Sequence, residues 1–381
     1  MIPYGRQLIS EDDIRAVIET LRSDWLTTGP GVDEFEQAFA GFVHANEAVA
    51  VSSGTAALHA AMFALKIAAG DEVIVPAITF AATANCVVFQ GATPVFADVD
   101  PRTLLIDPEQ VKARITSRTK AVIAVDYTGH PADYDALRYI TEQHGIALVA
   151  DACHSLGASY KSLSVGSLAD LNAFSFHPVK HITTGEGGMI TTDNPQLAQR
   201  MRRFRNHGIT TVPSQREKQG SWFYEMVDLG YNYRITDLQC ALGFSQFKKL
   251  PSFLEHRRDV AKCYDEAFGE VAEITPLTVN PDVRHAYHLY VIRVNSAVLS
   301  TDRTGVFQKL RQKGIGVNVH YIPVHLHPFY QNQFGTTPGL CPVAESAYEQ
   351  ILSIPMFAAI TDKQTREVIG ALKDTIDEYK L

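Results

Sequence analysis

The sequence predicts an α/β protein in two parts. A large domain over residues 1–245 is built on a mainly parallel sheet, and a smaller α+β domain spans 246–381. Three observations predict this. Between about residues 48 and 192, six short stretches are apolar throughout: EAVAVSS, DEVIVPA, TPVFADV, KAVIAVDY, IALVAD and LNAFSF. Helical patterns from Thr55 to Ile67, Phe80 to Phe89 and Asp133 to His144 sit between several of them. Strands apolar on both faces belong to parallel sheets covered on both sides. After about residue 245 this alternation gives way to a different pattern, and a chain of 381 residues is long enough for two domains at roughly 100–200 residues each.

The elements follow in order. SEDDIRAVIETLRSDWL opens with Ser10 as a cap, acids in the first turn, and Ile14, Val17, Ile18 and Leu21 on one helical face. WLTTGPGVDEFE, residues 25–36, is a glycine-proline loop leading into a second helix. The strand-helix alternation comes next. Then a long amphipathic helix (Leu254, Ala261, Tyr264, Phe268) leads into the strand AYHLYVIRV, a helix near 303–313 and the strand IGVNVHYI. In the final helix Thr361 and Gln364 form a capping box, and Val368, Leu372 and Ile376 share a face. There is no internal repeat or low-complexity segment.

Composition narrows the class. The chain is 46% hydrophobic and 20% charged, ordinary for a globular protein. A net charge of −8 argues against nucleic-acid binding, and the densest basic stretch, Arg200 to Arg205, reads as a solvated helix face. Cysteines 86, 153, 240, 263 and 341 are odd in number and scattered, which fits reduced thiols. MIPYGRQLISEDD lacks the layout of a signal peptide, and no run is apolar enough to span a bilayer, so a cytoplasmic protein without membrane partners is expected.

In an open parallel sheet, ligands sit at the carboxyl ends of the strands, so each polar residue just after an apolar strand is a site candidate. Four stretches qualify. SSGTAALHAAMFAL places Gly54 and Thr55 at a helix amino terminus, where free N–H groups and the helix dipole suit a phosphate. Taken alone this reads more readily as an ordinary capped helix, and it matches neither the P-loop nor the dinucleotide fingerprint. In HGIALVADACHSLGA, Asp151 ends an apolar strand and needs a positive partner, which a protonated pyridine nitrogen would supply; a structural hydrogen bond is the alternative. His154 is placed to meet the same ring's substituents. FSFHPVKHITTGEGGM puts Lys180 after a buried strand, beside a glycine-rich turn, with Ser175 on the strand as a phosphate donor. A lysine is worth burying where desolvation must lower its pKa and leave a nucleophile. PAITFAATAN sets Phe80 past a strand end, where it either stacks on a flat heterocycle or packs in the core. A phosphate cradle, an aromatic face, a carboxylate and a lysine are together what pyridoxal 5′-phosphate requires.

With these motifs in the order WLTTGPGVDEFE, SSGTAALHAA, DEVIVPAITFAATAN, PVFADVD, VADACHSLGA, FSFHPVKHITTGEGGM and LGYNYRITDLQCALG, nearly the whole chain resembles one family. It is the DegT/DnrJ/EryC1/StrS group of fold-type I, pyridoxal-phosphate-dependent aminotransferases, with the aspartate aminotransferase-like fold. Within it the chain is most similar to members that aminate C4 of a UDP-linked 4-keto-6-deoxy-N-acetyl hexose in pseudaminic acid biosynthesis. The resemblance implies glutamate as donor and 2-oxoglutarate as product. It implies that Lys180 joins the cofactor covalently and shuttles the proton, that Asp151 pairs with the ring nitrogen, and that His154 and Phe80 lie against the ring. Gly54, Thr55 and Ser175 would hold the phosphate. Asn232 and Arg234 would reach the phosphate of a partner subunit, making a homodimer with shared active sites. Thr28, Gly29, His320, Tyr321, His325, His327 and Tyr330 are the candidates for the sugar nucleotide. The three histidines among them invite a zinc reading, but no cysteine or acid lies within the cluster, and no metal is expected. A dehydratase branch of the family carries histidine in place of the lysine; Lys180 points to amino transfer. Another nucleotide-linked 4-keto or 3-keto sugar, or a non-catalytic regulator that binds the cofactor, are the alternatives.

Overall fold

A computed structural model describes residues 1–211, Arg216 and 220–381. The six apolar stretches form β1 (Glu47–Val51), β2 (Glu72–Pro76), β3 (Thr93–Ala97), β4 (Thr119–Val125), β5 (Ala147–Asp151) and, after the short β6 (Ser159–Tyr160) and β7 (Leu163–Ser164), β8 (Leu171–Ser175). A further strand, β9 (Gly188–Thr192), was not evident as one in the sequence. The sheet order is β1-β9-β8-β5-β4-β2-β3. β9 alone runs against the others, antiparallel to β1 and β8. It returns from β8 without a crossover helix, so a strand-helix alternation does not reveal it.

Register aligns the strand ends. Val125 pairs with Asp151, Asp151 with Ala173, and both Val51 and Ser175 lie opposite Gly188. The carboxyl ends of β1, β4, β5 and β8 therefore share one edge. The helices predicted between strands are Gly54–Ala64, Ala82–Phe89 and Tyr134–His144, the last capped by Asp133. They cover both faces: Val49, Val51, Ala121 and Ile123 belong to one hydrophobic cluster, while Ala48, Ala50, Val122 and Ala124 belong to another. The alternation within single strands is why these stretches are apolar throughout.

Later in the chain, β10 (Ile274–Pro276), β12 (Tyr290–Val294) and β13 (Ile351–Ile354) form an antiparallel sheet, while β11 (Val283–Arg284) pairs with β6. Helices Leu250–Phe268, Arg303–Gln312 and Asp362–Tyr379 pack with the three-stranded sheet in a third cluster that also takes in Ile2. The division read at 245/246 falls inside helix Asp237–Phe247. IGVNVHYI is not a strand. Ile315 and Asn318 make isolated bridges to Ile2 and Ser353, and the rest runs as a loop. Its alternation reflects side chains gripped singly, such as His320 by Ser353, and not a ladder. Among the described residues no helix is long and apolar enough to cross a membrane.

The first helix, Glu11–Leu21, inverts expectation. Its apolar face is largely open, with Ile14, Ile18 and Leu21 exposed, while Asp13 is fully buried. The Asp13 carboxylate accepts from Ser10 N at 2.8 Å, Ser245 Oγ at 2.7 Å, Gln246 Nε2 at 2.7 Å and Lys249 Nζ at 2.5 Å. Burial raises its pKa, but these bonds outweigh burial and hold it below the usual 3.8. A depressed carboxylate stabilises the fold above its unfolded pKa, and that contribution is lost as pH falls through the folded value. Asp13→Ala should therefore cost about 2–3 kcal/mol at pH 7, measured by urea unfolding. The gap from the parent protein should close in acid; a constant gap across pH would contradict the ionic account.

Candidate active site

The carboxyl edge of the sheet opens into a cavity of about 500 Å³. Ser53 caps helix Gly54–Ala64 at its mouth, its side chain accepting from Ala56 N at 3.1 Å. The first-turn N–H groups have no carbonyl behind them, which makes this end of the helix receptive to an anion. A Cβ at Gly54 would lie 2.8 Å from Ser175 Cβ and 3.1 Å from Cys153 Sγ. Only glycine lets the helix start this close to β8.

Asp151 ends β5 and is buried. It accepts from Thr83 Oγ1 at 2.6 Å and from Cys153 N at 3.3 Å, and the Thr79 and Thr83 hydroxyls are 2.6 Å apart. Among the described residues no lysine or arginine pairs with it, so the carboxylate calls for a cation from outside the chain. Lys180 follows β8 through a tight turn in which its N–H donates to His177 O at 2.9 Å. Its Nζ lies 3.3 Å from His288 Nε2. Burial pushes the amine below its ordinary 10.5, against the opposing pull of Cys153 and Asp151.

Histidines crowd this lysine. His154 Nε2 is 3.1 Å from Tyr321 Oη, and the His154 ring lies 4.4 Å from that of His288. Burial first, and then the Lys180 charge, hold His154 and His288 well below 6.5; burial does the same for His181. His320, bonded to Ser353 Oγ at 2.8 Å, is lowered to about 4 by burial and then by Lys180. All four stay neutral at physiological pH, so none offers Asp151 a rival cation.

Gly54, Thr55, Phe80, Asp151, His154, Ser175, Lys180, His320 and Tyr321 thus line one cavity, as expected from the sequence. Other expected residues lie outside its lining. Gly29 N donates to Asp237 Oδ2 at 2.7 Å, tying the 28–29 turn to another helix. His325 is buried with Nε2 2.9 Å from Glu345 Oε1, and Tyr330 is buried with its hydroxyl 2.5 Å from Asn85. His327 stands just before helix Pro328–Phe334 and makes no side-chain bond to its first turn. Arg234 Nη1 donates to Asn206 Oδ1 at 2.9 Å, and Asn232 bridges Asn206. Thr83, Asn318 and His288 were missed. Thr83 sits in the first turn of helix Ala82–Phe89, with no distinguishing signal. His288 stands just before β12, whereas the carboxyl-end rule points only to residues after a strand.

The fold and this cavity define a pyridoxal-phosphate-dependent enzyme. Comparison with known proteins narrows the class. Residues 7–373 match the DegT/DnrJ/EryC1/StrS aminotransferase family, and the chain belongs to it. Spore coat polysaccharide biosynthesis protein SpsC of Bacillus subtilis is 42% identical over 377 residues, 98% of this chain and 97% of that protein. Spr1654 of Streptococcus pneumoniae, described as a sugar aminotransferase and solved in its PMP form, superposes with a TM-score of 0.94 at 34% identity, covering 99% of this chain and 100% of that one. Helicobacter pylori PseC, an aminotransferase involved in the biosynthesis of pseudoaminic acid, gives 0.92 at 31% identity, covering 99% and 100%. The protein is a sugar aminotransferase that takes a sugar substrate and an amino donor, and its cofactor is pyridoxal phosphate.

The residues present fit that cofactor. A helix amino terminus held tight against β8 by Gly54 suits the phosphate, and Asp151 suits a protonated ring nitrogen. His154 Nδ1 is buried and finds no partner among the described residues. Gly54→Ala should push this helix start away from Ser175 and weaken pyridoxal phosphate binding about tenfold, about 1.4 kcal/mol, in a fluorescence titration. Unchanged affinity would show that the close approach is not needed.

Proposed function

We propose that the protein transfers the amino group of glutamate to C4 of a UDP-linked 4-keto-6-deoxy-N-acetyl hexose. The observation that carries the sugar assignment is the likeness to PseC along nearly the whole chain, with a TM-score of 0.92. A second reading has the same transfer on another nucleotide-linked 4-keto or 3-keto sugar. It is favoured by the higher identity, 42%, to a protein of spore coat polysaccharide biosynthesis.

Bound pyridoxal phosphate supplies the carbonyl that receives the donor's nitrogen and the ring that takes up the electron pair. Asp151, fixed by Thr83, keeps the ring nitrogen protonated. Ser175 and the 54–55 helix start would bind the phosphate, and Phe80 and His154 would lie against the ring. Lys180 anchors the cofactor between turnovers. Its amine, which burial makes readier to give up its proton, takes the α-proton of glutamate at Nζ once deprotonated and returns it, as base and then acid. 2-Oxoglutarate leaves before the keto sugar enters, which gives ping-pong kinetics. His320 and Tyr321, which line the same cavity, would meet the sugar.

The working unit we propose is a homodimer. Asn232 and Arg234 lie outside their own subunit's cavity and would reach the phosphate in the partner. Trp222, Phe223, Met226 and Leu229, just before them, are exposed, with Trp222 84% and Leu229 76% accessible. An apolar stretch of this kind is normally covered, and a second copy would cover it.

Borohydride reduction of the loaded protein should attach a pyridoxyl group to the peptide carrying Lys180, detected by mass spectrometry. Lys180→Ala should lose at least about a thousandfold in turnover; full activity would sink the assignment. Asp151→Ala should still bind cofactor but lose about 10²–10³ in rate, because breaking a buried charge pair costs about 3–5 kcal/mol. For the sugar, the purified protein with glutamate and a panel of nucleotide-linked keto sugars is assayed by mass spectrometry. An amine appearing on the UDP-linked 4-keto-6-deoxy-N-acetyl hexose is expected. Turnover only with other sugars would favour the second reading.

A further inference from the structure

His288 has no part in the roles above, yet it is the side chain that touches the Lys180 amine. Its position is heavily constrained. Ala286 N donates to Gly129 O at 3.0 Å, and Leu289 N donates to Thr128 O at 3.1 Å, so the backbone is pinned on both sides of it. A Cβ at Gly129 would lie 3.1 Å from His288 N and 2.7 Å from His154 O, at a φ of +105°. Arg257 is buried beneath, with no carboxylate paired to it among the described residues. It donates instead through Nη1 to Tyr287 O at 3.1 Å, Met356 O at 3.1 Å and His288 O at 3.4 Å. A buried guanidinium is costly to keep. Here its visible work is to hold the carbonyl groups that carry this histidine.

We propose that His288 is a positioning residue: its Nε2 accepts a hydrogen bond from Lys180 Nζ and fixes the direction of the amine's lone pair. A neutral amine has one lone pair and two N–H groups. If one N–H is tethered to His288, the lone pair is free to face the cavity. Once Nζ has taken a proton, the same contact becomes a charge-assisted bond, roughly twice as strong. Asp151, Cys153, His154, His181 and His320 are the other titratable groups that act on this amine. The four histidines, His288 included, stay neutral, and the proposal requires the tautomer in which His288 carries its proton on Nδ1, an atom with no partner among the described residues. The inference rests on Lys180 being the working amine, and its test does not require turnover.

In the apoprotein, Lys180 is labelled with an amine reagent across a pH series and followed by peptide mass spectrometry. Loss of the acceptor disfavours the ammonium form. His288→Leu should therefore move the labelling midpoint down by about one pH unit, about tenfold in proton affinity, while His288→Gln, which retains an acceptor, should stay near the parent. Identical midpoints in all three would overturn the proposal. In the unmutated apoprotein, ¹⁵N–¹H spectra of labelled histidines should show His288 protonated at Nδ1 and bare at Nε2. A proton on Nε2 would overturn it regardless of how the variants fold. Failure of sugar turnover alone would touch the substrate assignment and not this one.

Discussion

A lysine amine enclosed by protein gives up its proton more readily, because its charged form is deprived of water. In this chain that enclosure depends on how closely the end of β8 can be approached. Gly54 lets one helix start against Ser175, and Gly188 lets β9 pass where a Cβ would lie 2.5 Å from Ser53 O. Lys180 emerges from the turn between β8 and β9, so its surroundings are set by backbone packing. The parallel sheet places Asp151 two strands from β9 at the same edge, with its register fixed by the pairing to Val125 and Ala173. Acid and amine share a cavity because adjacent parallel strands end together.

The charge pattern around the amine follows from the same burial. His154, His181, His288 and His320 would each be a cation in water at modestly acid pH. Enclosed beside a lysine, they are held neutral. Cys153 is likewise held as a thiol, pushed well up by burial and then by Asp151. The cavity thus contains many polar atoms, with the Asp151 carboxylate at the end of β5 among them. Such an arrangement is fixed before any ligand arrives, which is how preorganised electrostatics lowers a barrier.

How much of this was legible in the sequence follows from the same geometry. Asp151, Ser175, Lys180 and the 54–55 turn were readable because each comes directly after an apolar strand, and the carboxyl ends of parallel strands face ligands. β9 escaped because it returns from β8 without a helix. IGVNVHYI imitated a strand because single contacts grip alternate side chains. His288 lies 108 residues from the amine it touches, and no local pattern carries that distance. The histidines of NVHYIPVHLHPFY looked like one binding surface. His325 is instead paired through Nε2 with Glu345, twenty residues on, a pairing invisible to spacing. The apolar stripe of the first helix was legible as a stripe, but which side of the helix the protein covers was decided by Asp13 and its four partners.

A division of labour follows. The groups that fit the cofactor stand on strand ends and one helix start, where a one-residue slip would reverse a side chain's face. The groups that face the remaining space, Tyr4, Asn318, His320 and Tyr321, stand on irregular segments. The Tyr321 hydroxyl is nevertheless bonded to His154, and the Tyr127 hydroxyl donates to the His320 carbonyl, so this loop is tethered to the sheet domain at both residues. Side chains on a loop can change without disturbing a core, whereas those on a buried strand end cannot. A scaffold of this kind holds amino-transfer chemistry constant while the acceptor changes, provided the tethers survive. On the function proposed above, specificity would be carried by the side chains that the tethered loop presents, and chemistry by the edge to which it is tied.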